Sequence, residues 1–404
     1  MQSQSTVPFA TLPPEMVTAI LYSVTDLDTL ANVAVSSRTL HTAFKVNETR
    51  LIRRLLIDNI GQEVLPDALI AYSCTPPSLR PRDVQEIDPP RLSTMADWWV
   101  RCAEERVRTI SRPELGSIEF NMARALELER THVHVAALAE RFIQRCSETT
   151  QVGLGDTFTL LPPSSTEKTR IARALYLFET FCTLFGYMNP RKLSESVHFL
   201  RKYEPWEIAQ LGVIHDFLAR EIIPVFTDVA KEAAARGDDT FGRDCDIACD
   251  WIQYTLSLGL EKIHTLLTAK TDAERRKVLF PRRESRATRS AFLEATLDEL
   301  NHIDPDIGRP VRMVSYDDKD SGPKDIWEHS QKGRDSQSVY EIRDWQHRSW
   351  GYSMWDKARL EELGTLEVPW LEAADLEDWQ SIFPDDGESD DEESDDIDML
   401  YEDY

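Results

Sequence analysis

Residues 8–44 read PFATLPPEMVTAILYSVTDLDTLANVAVSSRTLHTAF, and their apolar spacing is that of three short helices. Met16, Val17, Ile20, Leu21 and Val24 fall at i, i+1, i+4, i+5 and i+8, one stripe of a helix that Pro13, Pro14 and Glu15 open. Leu27, Leu30, Val33 and Ala34 repeat the stripe over a second helix, with Asp26 as its N-cap. Ser36 or Ser37 caps a third, which carries Leu40, Ala43 and Phe44. Three such helices bury little surface by themselves, since units below roughly 40–60 residues are marginal. They are expected to pack on a further layer.

Outward from this stretch the pattern stays helical. LIRRLLIDNI and VLPDALIAY follow from Leu51, then a Pro-rich connection over residues 74–94, whose five prolines remove backbone donors. Helical periodicity resumes in ADWWVRCAEERVRTI and in the long segment Ile118–Cys146, and breaks over residues 149–165 at Gly153, Gly155, Pro162 and Pro163. STEKTRIARALYLFETFCTLFGY opens with a capping signal, and PRKLSESVHFLRKY, EPWEIAQLGVIHDFLAREIIPVFTDVAKEAAARG and DCDIACDWIQYTLSLGLEKIHTLLTA continue in the same way. With no strand-like run and no internal repeat, the chain is expected to be all-α. Its expected divisions are a motif at 8–45, helices and the Pro-rich connection at 46–94, an irregular helical body at 95–383, and a disordered acidic tail at 384–404.

The formal net charge of −25 is unevenly placed. After Arg359 the chain holds 19 of its 71 Asp and Glu and no Lys or Arg, so residues 1–359 carry 52 acidic against 46 basic groups, a net of −6. A near-neutral body with an anionic tail argues against nucleic acid as a partner, because the tail repels phosphate. No apolar run has the length of a membrane span, and MQSQSTVPF is no secretory leader. Six scattered cysteines fit a reduced compartment, so an intracellular protein, cytoplasmic or nuclear, is expected.

Leu12-Pro13 followed by Glu15, Ile20-Leu21, Leu27, Leu30, Val35-Ser36 and Phe44 resembles the F-box, over about one tenth of the chain. It departs from the family pattern in DLDTL and in having Arg38, Thr39 and Leu40 where an aromatic often follows the VS pair. KYEPWEIAQLGVIHDFL and RSWGYSMWDKARLEELG are similar to segments of uncharacterised, mostly helical F-box proteins of filamentous fungi, a likeness that implies descent and no chemistry. The resemblance implies that Leu12, Pro13, Ile20, Leu21, Leu27, Leu30 and Val35 contact a Skp-type adaptor or shape the surface that does. A cullin-RING ubiquitin ligase then supplies the catalysis, while this chain holds a protein substrate near it. The other reading is a structural or regulatory interaction protein that joins no ligase and keeps an F-box-like helical hairpin packed on its own body.

No motif for catalysis or for a cofactor accompanies it. Cys245 and Cys249 lack a second pair at finger spacing, and His132 and His134, two apart on a helix, face different ways. No GxSxG, Walker loop or GxGxxG is present, and DSG at 320–322 lacks the second serine of a phosphodegron. Trp206, Trp350, Tyr352 and Trp355 are expected to anchor the core and lock the C-terminal segment onto it. The cluster RRKVLFPRRESRATR at 275–289 reads as a solvated helix end, an import signal or a partner for the tail. In the tail, Ser389 and Ser394 are candidate acidophilic-kinase sites, and Met399-Leu400-Tyr401 is an apolar triplet within the acidic run.

Overall fold

The computed structural model describes residues 12–74, 110–154, 162–186, 193–237, 245–279, 292–301, 314, 316–334, 338–341, 344–367 and 370, with backbone alone for 148–154 and 245–250. Every regular element among them is a helix. The first group is α1 (Pro14–Ser23), α2 (Leu27–Ser36), α3 (Arg38–Ile60) and α4 (Leu65–Cys74). The middle group is α5 (Met122–Leu154), α6 (Ser165–Phe185), α7 (Leu193–Leu200), α8 (Pro205–Ala235), α9 (Cys245–Ser257), α10 (Leu260–Thr268) and α11 (Asp272–Leu279). The last is α12 (Leu293–Asn301), α13 (Gly322–Ser330), α14 (Trp345–Ser349) and α15 (Lys357–Glu362).

Local chemistry sets several helix starts. Pro14 opens α1, Asp26 caps α2 by accepting from the Thr29 N–H at 2.7 Å, and Ser37 caps α3 through the Leu40 N–H. Ser164 and Glu167 form a reciprocal capping box at α6. Gly259, at φ 85°, separates α9 from α10, and a β-carbon there would stand 2.9 Å from the Glu179 carboxylate. The periodicity across DCDIACDWIQYTLSLGLEKIHTLLTA reads as continuous, yet the break falls at a glycine in a conformation that other residues rarely adopt.

Two stretches differ from expectation. α3 runs without a break through residues 45 and 46, because KVNETR holds no Gly or Pro and the Lys45–Glu48 pair at 2.9 Å supports the turn. α5 extends to Leu154, past the expected end near residue 149, with Gly153 inside it.

One continuous apolar cluster runs from Val17 to Leu360. The first three helices join it through α3, whose Leu51, Ile52, Leu55 and Leu56 are buried, and α2 and α3 pack on α5. α8 lies at the centre, against α6, α9, α10, α13 and α14. Among the described residues no helix is long and apolar enough to cross a membrane. Residues 8–11, most of the Pro-rich connection and of ADWWVRCAEERVRTI, the basic cluster beyond Leu279, and the tail with Ser389, Ser394 and Met399–Tyr401 lie outside the described residues.

Candidate functional site

The stripe of residues 12–35 divides into two faces. Leu21, Leu27 and Leu30 are 0% exposed and, with Val17 and Ala34, point into the shared core. Their role at any interface is to hold the helices in place, since none can touch a partner. Leu12 and Ile20 are half-buried, Pro13 is exposed, and Val35 is 74% exposed. Met16, expected in the buried stripe, is instead 54% exposed. One position before Val17, it lies about 100° round the helix from it.

Backbone geometry fixes this surface. Pro13 sits at φ −57° and ψ 144°, and its carbonyl accepts from the Met16 and Val17 N–H groups at 3.0 and 3.2 Å. At the other end of α1, the Arg54 guanidinium of α3 donates to the Tyr22 and Val24 carbonyls and lies 5.7 Å from the Tyr22 ring centroid. One side chain thus satisfies two orphan carbonyls of the α1–α2 turn. Further contacts attach α3 to the body. The Thr49 hydroxyl donates to Phe120 O at 3.2 Å, Arg53 to Ile118 O at 3.0 Å, and the Asn59 amide to Glu129 at 3.1 Å. Burial and then the Asp28 charge push the Glu129 carboxyl above its ordinary range, partly offset by the Asn59 bond.

The remaining polar groups serve the core. Arg170 of α6, 0% exposed, pairs with Asp318 and Asp356 and donates to Met354 O at 3.1 Å. Arg173 pairs with Asp67 at 3.1 Å and Glu207 at 2.9 Å. In α8, Asp216 accepts from Arg348 at 2.5 Å and from the Tyr340 hydroxyl at 2.9 Å, with His215 at 3.0 Å. Burial alone would push the Asp216 carboxyl up, but Arg348 and His215 outweigh it and hold it well below the usual range. Most of these partners stand more than a hundred positions apart, and even Arg173 and Glu207 are 34 apart on different helices, so no sequence pattern marks them. These ion pairs were therefore invisible to periodicity.

Residues 350–356 are structural, as expected of the tryptophans. Tyr352, Met354 and Trp355 are buried, the Trp355 indole donates to Trp350 O at 2.9 Å, and Gln210 donates to Ser353 O at 2.9 Å. Trp350 and Trp206 are half-buried. His132 meets the Tyr176 hydroxyl at 3.1 Å, whereas His134 meets His264 at 2.9 Å, so the two histidines do face different ways. Among the described residues no three His, Cys, Asp or Glu side chains could hold a metal ion; the Cys245 and Cys249 side chains lie outside that description. Ser321 of the DSG triplet is exposed and donates to Asp325 at 2.8 Å. Compared with known proteins, the chain matches no family model, no curated protein and no solved structure.

Proposed function

We propose that this chain is a substrate-recognition subunit that docks a Skp-type adaptor through α1 and α2 and holds a protein substrate near a cullin-RING ubiquitin ligase. The observation carrying this reading is the exposure of Pro13, Met16 and Val35, at the start of α1 and on α1 and α2, whose other apolar residues are locked into the core. A rigid apolar surface of this kind suits a partner better than solvent, because hot-spot residues work from pre-positioned supports. Acceleration would come from proximity, with the acceptor lysine held at high effective concentration beside a thioester carried by the partners. No catalytic side chain is required of this chain, and none is assigned.

A second reading has its own observation. Leu21, Leu27 and Leu30 are wholly covered by the chain itself, which is what an interaction protein outside any ligase would show if its hairpin served only its own core.

Met16→Asp with Val35→Asp separates the two readings, because both side chains are exposed and the change leaves the core intact. Affinity purification of the intact chain should recover adaptor and cullin together, and the double variant should recover neither while keeping its melting temperature. No recovery by the intact chain sinks the ligase reading, and undiminished recovery by the double variant sinks docking through α1 and α2.

A further inference from the structure

The first half of α3 turns one face away from the core. Leu40 and Phe44 enter the apolar cluster, while Arg38, His41, Thr42, Lys45 and Val46, at i, i+3, i+4, i+7 and i+8, are all exposed. Arg50, one turn beyond Val46, is exposed as well. Val46 is 79% exposed, and Val35, three residues before Arg38, is 74% exposed. A valine so placed does not help the helix, since its branched side chain lowers helix propensity and here buries little surface.

Charge marks the same face. Residues 1–37 hold three carboxylates and no Lys or Arg, whereas residues 38–54 hold five Lys or Arg and one Glu. Arg53 and Arg54 are taken up by backbone carbonyls, and Lys45 pairs with Glu48 at 2.9 Å. The side chains of Arg38, His41 and Arg50 form no ion pair or hydrogen bond with any described residue. Two arginines thus lack counter-charges beside an exposed apolar residue, on a chain whose net charge is −25.

We propose that this face of α3 docks an acidic segment of a partner protein, with an apolar side chain of that segment against Val46 and its carboxylates on Arg38 and Arg50. An apolar centre with a polar rim is the arrangement of protein interfaces, in which arginine is enriched. Arg38 and Arg50 lie about 18 Å apart along the helix, the span of a short peptide. Nucleic acid fits less well, because a duplex offers phosphates and nothing apolar for Val46, and the overall charge of the chain repels it. The face starts at Val35, where the surface assigned to the adaptor ends, and its docking does not rest on that assignment. A face of this size suits a transient complex, and its exposed charge contacts weaken with added salt.

Fluorescence anisotropy on the full-length chain tests this, with a labelled peptide that places leucines on one face of a helix and glutamates on its flanks. The wild type should bind it, and Arg38→Glu with Arg50→Glu should weaken binding by about ten-fold, because exposed attractions become repulsions. Val46→Asp should weaken it as much, whereas Arg38→Lys with Arg50→Lys, which keeps the charge, should retain it. All these positions are exposed, so each variant should melt with the wild type. No binding by the wild type, or equal binding by the wild type and the two acidic variants, overturns the proposal. So does tighter binding of a short DNA duplex, or peptide binding that emerges only once residues 384–404 are removed, because a nucleic acid or the chain's own tail would then be the occupant.

Discussion

Arg54 shows how much one side chain can fix. Its guanidinium serves the Tyr22 and Val24 carbonyls from a helix thirty positions away, so the angle between α1 and α2 depends on α3. Replacing it with Ala removes charge-assisted bonds and leaves two carbonyls without that donor, a loss of about 1.5–3 kcal/mol. Chemical denaturation should show a lower midpoint with unchanged slope, and under the proposed adaptor binding the recovery of adaptor should fall as well, although Arg54 is itself half-buried. Lys cannot substitute, since an ammonium lacks the fork that reaches both acceptors.

Among the elements, α10 is held at two points with opposite responses to pH. At its N-terminus the Leu260 N–H donates to Glu179 at 2.8 Å, and burial pushes that carboxyl up to about 6 despite the bond. Along its length His264 pairs with His134, and burial, followed by the His264 charge for His134 and the Arg141 charge for His264, lowers both imidazoles. A raised carboxyl binds its proton more readily in the folded state, so Glu179 adds stability as pH falls through about 6 towards its unfolded value. The lowered histidines act the other way: their contribution is present above an unfolded value of roughly 6.5 and is lost as pH falls towards their folded values. Glu179→Gln keeps an acceptor and removes the titration. Melting between pH 7.5 and 5 should then decline more steeply with acid than in the wild type; parallel curves would mean that Glu179 does not titrate in that range.

How far such elements can be read in sequence depends on where their determinants lie. Asp26, Ser37 and Ser164 cap their helices through residues three positions away, and those starts are legible. The start of α10 is capped instead by Glu179, eighty-one positions before Leu260, and that partner is not. The same divide runs through the candidate site. Apolar spacing identifies the helices of residues 14–36, but a stripe pattern does not say which edge of the stripe is covered, and so Met16 is misplaced, while whether Leu21, Leu27 and Leu30 contact a partner or shape the surface is decided only by their burial.

For the whole molecule, a single core from Val17 to Leu360 predicts one unfolding transition shared by the first helices and the last. Trp355 is buried against Phe142, with ring centroids 6.4 Å apart, so Trp355→Ala should cost about 3–5 kcal/mol. Trp350 is only half-buried and should cost less. Calorimetry with separate transitions for the N-terminal helices and the body would refute the single core.

The clasp around Arg170 also has a consequence for synthesis. This arginine enters the core early in the chain, yet Met354 and Asp356 complete its shell, and Asp356 further bonds the Glu167 carboxylate through its backbone N–H at 3.0 Å. A nascent chain can collapse around α6 and α8 long before those partners leave the ribosome, but it then carries a cation in an unfinished interior. Products of premature stop codons upstream of Met354 should therefore be recognised as incomplete and degraded, whereas a stop after Trp370 should leave a chain that passes inspection.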